Sequence, residues 1–310
     1  MDLQIYLAGM FTFGAMPGQG PYEREFTERD QAICRAVPHL LDSYHYVGKQ
    51  RKVNEIRATG RQIFLDSGAF SAYTLGIELS IEDYCHYINE NRDIIRVEEG
   101  ILMASVLDGI GDPLLTYQNQ KRMEELGVKP LPCFHANEDE RYLDYYVENY
   151  EYITLGGMVG ASTAQLSIWL DRMFNNHILD GAGRPKTRVH GFGITSEPLM
   201  ERYPWYSCDS SSWVQTGAFG GIQMPDEGVI SVSDRSPSRH TAGQHLTTLA
   251  PIERKAIEDK IRSQGFDPER LQTSAYARWP YNIWAYGQIN ERINNQKRER
   301  GHEPLPQELF

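Results

Sequence analysis

Short apolar runs alternate with longer amphipathic stretches through the first two thirds of the chain. Eight runs read as strands: LQIYLAG (3–9), SYHYVG (43–48), RQIFLD (61–66), ILMASVLD (101–108), VKPLPCFH (128–135), YITLGG (152–157), TRVHGFG (187–193) and WYSCDS (205–210). Helical spacing fills the gaps between them. SIEDYCHYINENRDII opens on Ser80 with Asp83 three residues later, an acidic variant of the capping box. DPLLTYQNQKRMEELG begins with Asp-Pro and closes on Gly127, the expected start and stop chemistry. NEDERYLDYYVENY and ASTAQLSIWLDRMFNNHIL carry apolar residues on one helical face. Strands alternating with helices predict an α/β fold, a (β/α)8 barrel of TIM type. A doubly wound open sheet is the alternative.

Beyond residue 210 the pattern changes. Residues 211–247 are rich in Gly, Ser, Thr and Gln and predict a long irregular region. IERKAIEDKIRSQG (252–265) predicts a helix, and another starts at DPERLQTSAYARWPYNIW, where Pro280 should break or kink it. The expected organisation is a barrel domain over residues 1–210 and a C-terminal helical extension over 211–310, packed on the barrel. Tyr276, Trp279, Tyr281, Trp284 and Tyr286 could stack on bases, although such residues more often pack a terminal helix.

Composition narrows the class. The chain has 310 residues, 40% of them hydrophobic, and no apolar run long enough to span a membrane. Its first residues lack a basic stretch and read as a strand rather than a signal peptide. Four scattered cysteines, with no CxxC pair, suit a reducing cytoplasm and argue against a disulfide framework or zinc ribbon. The net charge of −11 is unlike that of a protein gripping phosphates over a broad surface. Any basic footprint is local: Lys49, Arg51, Lys52, Arg57 and Arg61, or Arg184, Lys186 and Arg188. Both clusters can equally be solvated surface.

In a (β/α) barrel the chemistry lies at the C-terminal ends of the strands. Those ends carry Asp66, Asp108, His135, Gly156-Gly157, Gly191-Phe192-Gly193 and Asp209. One strand-terminal Asp is often only a helix cap; three on one face suggest a site. Paired carboxylates can attack an anomeric carbon and manage the leaving group's proton. They can also hold a divalent metal, with Asp66, Asp108 and His135 as ligands of a metal-dependent hydrolase. Cys133 and His135, on one strand face, could bind zinc, but a buried Cys is usually a small hydrophobe. The paired glycines let a ligand approach the backbone, and HGFGITSEPLM is a glycine turn that could hold an anion.

Read in order, these segments resemble the tRNA-guanine transglycosylase superfamily, barrels that exchange guanine for a 7-deazaguanine without breaking the nucleic-acid backbone. LDSGAFSAY (65–73) is similar to that family's Asp-Ser-Gly-Gly-aromatic-Gln segment, and ITLGGMVG (153–160) to its Gly-Gly-Leu motif. VHGFGITSEPLM (189–200) resembles its Gly-Val-Gly turn, and YSCDSSSW (206–213) stands where the nucleophile lies. The resemblance implies that Asp209 is the nucleophile and Asp66 the general acid/base. It implies further that Phe70 stacks on the base and that Asp108 accepts from the base's donor edge. The backbone at Gly156 and Gly157 would bind the base's carbonyl, His135 would stand where the family uses Gln, and Ser67 and Gly193 would complete the substrate-binding set. No cysteine follows Cys208, so the family's CxCxxC zinc module is absent, as is its Pro-Thr-Arg after the nucleophile. These departures resemble phage-encoded relatives that insert 7-deazaguanines such as preQ0 into DNA. DNA is therefore the expected partner ahead of tRNA, in the host cytoplasm, with no cofactor and no metal. A homodimer and a non-catalytic binding subunit stay open, although the presence of both Asp66 and Asp209 speaks against the latter.

Overall fold

The computed structural model describes residues 2–225 and 227–300. They form two compact units. One comprises the segment up to Thr12, His39–Ser210 and the chain from Ile293; the other comprises Phe13–Pro38 and Ser211–Arg292. Residues 13–38 thus group with the later segment rather than with the 1–210 stretch. Among the described residues no helix is long and apolar enough to cross a membrane.

The first unit is built on a curled sheet of seven parallel strands: β1 (Gln4–Ala8), β2 (Leu40–Ser43), β3 (Phe64–Asp66), β4 (Cys133–His135), β5 (Tyr152–Gly156), β6 (Arg188–Gly191) and β7 (Ser207–Ser210). Their order is β3-β2-β1-β7-β6-β5-β4. Strands buried on both faces read as nearly continuous apolar runs, which is why most were visible in the sequence. Residues 103–106 hydrogen-bond to both edges of the sheet. Leu65 N donates to Met103 O (2.9 Å) and Ser105 N to Leu65 O (2.9 Å); on the other side Val106 N donates to Leu131 O (3.0 Å) and Leu131 N to Ala104 O (2.8 Å). One buried cluster takes Tyr6, Leu41, Phe64, Met103, Leu131 and Tyr152, with the partly buried Phe192 and Tyr206, which flank β6 and β7, packed against it.

Three strand expectations need correction. The second strand is Leu40–Ser43, and Tyr44–Val47 is helical. The polar Asp42 disguised that strand, but its carboxylate is satisfied locally by Phe11 N (3.1 Å), Thr12 N (3.0 Å) and Thr12 Oγ1 (2.7 Å). The run at 101–108 is not one strand: Ile101–Leu102 pairs antiparallel with Val97–Glu98, and only isolated bridges continue it. The strand expected over 128–135 is regular only at Cys133–His135. Pro130 and Pro132 have no N–H to give, so Leu131 alone donates between them.

Helix boundaries follow their chemistry more closely. Ser80 accepts from Asp83 N (3.1 Å) at the start of Ile81–Glu90. Asp112 accepts from Leu115 N (3.0 Å) at the start of Pro113–Glu125. Helices Glu140–Asn149 and Thr163–Met173 fill the other two expected segments.

The second unit is more ordered than its composition suggests. The expected irregular region contains helix Ser212–Ala218 and a hairpin of Gly221–Met224 with Gly228–Ser231. Its turn residues hid the hairpin's apolar face: Ile222 and Met224 pack with Ile261, Phe266, Leu271 and Tyr281. The last helix, Ala275–Arg300, runs through Pro280; the break falls at Ser274, after Pro268–Thr273. Pro280 lies in the helix's second turn, where it removes one hydrogen bond without ending the helix. Tyr281 and Trp284 pack on Phe266 (ring centroids 4.8 and 5.4 Å), the packing role rather than the base-stacking one.

Candidate active site

At the end of β3, Gly68 is left-handed (φ 74°), and a Cβ there would lie 2.6 Å from His45 Cβ. Only glycine makes this turn, and the turn aims its amide back at Asp66 Oδ2 (3.0 Å). Ser105 accepts from Ser67 N (2.9 Å) and faces Asp66 Oδ1 at 3.4 Å. Desolvation, followed by the charges of Asp108 and Asp209, pushes the Asp66 carboxyl up to about 7. It therefore takes up and gives up a proton near neutrality.

Asp209 is the next-to-last residue of β7, which Ser210 ends, and lies beside Tyr6 in the register of β1. Its Oδ1 accepts from Gly193 N (2.9 Å) and lies 3.3 Å from His190 Nε2. His190 is fully buried, and its Nδ1 contacts Ser207 Oγ, which also meets the Tyr152 hydroxyl (2.5 Å). A carboxylate only accepts, so His190 Nε2–H donates to Asp209; with the ring neutral, Ser207 O–H then donates to Nδ1 and Tyr152 O–H to Ser207. Nothing in the local sequence around His190, Ser105 or Ser207 sets them apart as site residues. His190 shares a strand face with Phe192, which packs on the buried cluster, and that two-residue spacing tells its face but not its role.

A third group centres on β4. His135 Nδ1 meets Glu138 Oε1 (3.0 Å), while Nε2 lies 3.5 Å from Cys133 Sγ and 3.8 Å from Asp108 Oδ2. Burial alone would lower the imidazole's proton affinity; Cys133, Asp108 and Glu138 reverse this and hold it above the usual histidine range. Burial pushes the Cys133 thiol up to about 11. Asp108 Oδ1 is buried and has no hydrogen-bond partner. Gly156 faces this group so closely that a Cβ would meet His135 Cδ2 at 3.0 Å and Cys133 Sγ at 3.2 Å. Gly157 follows beside the His135 backbone. Among the described residues the metal-ligand types brought together are Asp108, Cys133 and His135, not Asp66, Asp108 and His135.

Phe70, on the first turn after Gly68, is 56% exposed, so its ring is free to receive a planar ligand. Ser67 is buried, and its hydroxyl accepts from Ala69 N (3.3 Å), which starts that helix. The basic side chains singled out in the sequence are largely engaged: Arg51 with Glu55 (2.9 Å), Arg57 with Asp93 (2.5 Å) and Arg184 with Asp180 (3.1 Å). Lys52 donates to the Phe11 carbonyl (2.9 Å).

In comparisons with known proteins, no protein-family model matches the chain, and no curated protein matches it.

Proposed function

We propose that the chain is a base-exchanging transglycosylase of the tRNA-guanine transglycosylase superfamily, acting on guanine in DNA. The supporting observation is the contrast between two carboxylates at or next to the C-terminal ends of their strands. Asp66 is poised for proton transfer near neutrality, while Asp209 is held in one orientation by Gly193 and His190. The scaffold on this reading is a complete (β/α)8 barrel, with residues 103–106 as its fourth strand position. Their bonds to Leu65 and Leu131 support that closure.

Asp209 attacks the sugar's anomeric carbon. As the C1′–N9 bond breaks, its electron pair passes into guanine and Asp66 supplies the proton that neutralises the departing base. The sugar is left as an aspartyl ester. An incoming 7-deazaguanine such as preQ0 then loses its N9 proton to Asp66, and its nitrogen displaces Asp209. Both catalytic groups return to their starting states. Phe70 stacks on the base, and the unpartnered Asp108 Oδ1 accepts from its N–H edge. The backbone at Gly156 and Gly157 and the His135 ring line the rest of the pocket.

Incubation with guanine-containing DNA and isotope-labelled preQ0 should label the DNA. Asp209→Ala should abolish the labelling, and only the wild type should form a denaturation-resistant DNA adduct. Labelling of tRNA but not of DNA would redirect the substrate assignment.

A further inference from the structure

We propose that Asp108, Cys133 and His135 form a binding site for a soft divalent cation of the zinc class, two of these residues also facing the base on the reading above. Their ligand atoms all lie within 4.8 Å of one another. Tetrahedral zinc with bonds of ~2.3 Å to sulfur and ~2.0 Å to nitrogen or oxygen would set S···N near ~3.5 Å and N···O near ~3.3 Å. The observed separations are 3.5 Å from Cys133 Sγ to His135 Nε2 and 3.8 Å from Nε2 to Asp108 Oδ2. The sulfur–nitrogen pair already has the zinc spacing, and the nitrogen–oxygen pair would close by about half an ångström.

The surroundings favour a ligand over a mere cluster. Glu138 accepts from His135 Nδ1 at 3.0 Å, so Nε2 is the nitrogen turned to Cys133 and Asp108, and a metal there would take the place of its proton. This carboxylate–histidine arrangement orients metal-bound imidazoles. An imidazolium trapped between two carboxylates would account for Glu138 and Asp108. It would leave one Nε2–H shared between the Cys133 sulfur at 3.5 Å and Asp108 Oδ2 at 3.8 Å, the latter beyond hydrogen-bond reach. Nor would it explain Asp108 Oδ1, unpartnered on a side chain only 10% exposed. The space that any side chain at position 156 would fill lies against both Cys133 and His135. Three protein ligands leave a fourth position open. Because Asp108 and His135 also face the base in the proposed pocket, metal and purine should exclude each other; that part of the inference rests on the transglycosylase reading.

Zinc titrated into the chelator-treated full chain should bind at one equivalent, and cobalt should give a thiolate-to-metal charge-transfer band. Cys133→Ser should abolish the band, and Glu138→Gln should weaken affinity by about 10–100-fold. Cys85→Ser, at another buried cysteine, should leave both unchanged. Circular dichroism of each variant checks folding. Wild-type protein that binds no zinc, or binding that survives in Cys133→Ser, Glu138→Gln and His135→Ala alike, overturns the site. Guanine should bleach the cobalt band. A band that persists while base exchange proceeds would leave the metal site standing and overturn the assignment of Asp108 to the base.

Discussion

Asp66 concentrates the residue-scale consequences. Its folded pKa of about 7 lies above the ordinary value of 3.8, so its protonated form is the one the fold favours. The stability it contributes is complete at low pH and is lost as pH rises through about 7. Asp66→Asn should therefore flatten the decline in melting temperature between about pH 4 and about pH 7, read by thermal scans of both proteins. As a general acid Asp66 must carry its proton, so wild-type kcat/KM for base release should fall above about 7. His190 acts on Asp209 rather than on substrate, which makes it a positioning residue. His190→Ala should lower exchange by about tenfold or more and cost about 1–3 kcal/mol, since it leaves the buried Ser207 hydroxyl without its acceptor. Unchanged activity together with an unchanged pH profile in that variant would remove His190 from the mechanism.

At the scale of elements, two predictions separate packing from chemistry. If residues 103–106 occupy a strand position, the amides of Ser105, Val106 and Leu131 should exchange hydrogen as slowly as those of β1. Rapid exchange there would mean an open sheet. Gly156→Ala must push on His135 and Cys133, at an expected cost of about 1–3 kcal/mol in chemical denaturation together with loss of pocket function. These same places mark what the sequence could and could not disclose. Asp66, Asp108, His135 and Asp209 were legible because a polar residue closing an apolar run is a local signal. The strand at Leu40–Ser43 was missed because Asp42 reads as solvent-facing until Phe11 and Thr12 are folded against it. His190 was passed over for a similar reason, because its partners Ser207 and Asp209 lie on the next strand and not nearby in the chain.

On the scale of the whole molecule, a net charge of −11 and basic side chains already paired with carboxylates leave little attraction for a phosphate backbone at long range. DNA affinity should therefore depend weakly on salt, with a log–log slope equivalent to about one to three phosphate contacts. Fluorescence anisotropy across a salt series measures it, and a steep slope would reveal a basic track not apparent in these pairings. The strand order carries a consequence of another kind. β1 leads the chain, yet it sits between β2 and β7, with Gln4 against Ser207. On a ribosome the first strand must wait for some two hundred residues to emerge before its second neighbour exists. Closure of this sheet is thus a late, sequence-distant event, and slow folding is expected of such long-range parallel pairing. A nascent chain stalled before β7 would expose the flanks of both β1 and β6, a window in which chaperone binding or aggregation competes with folding.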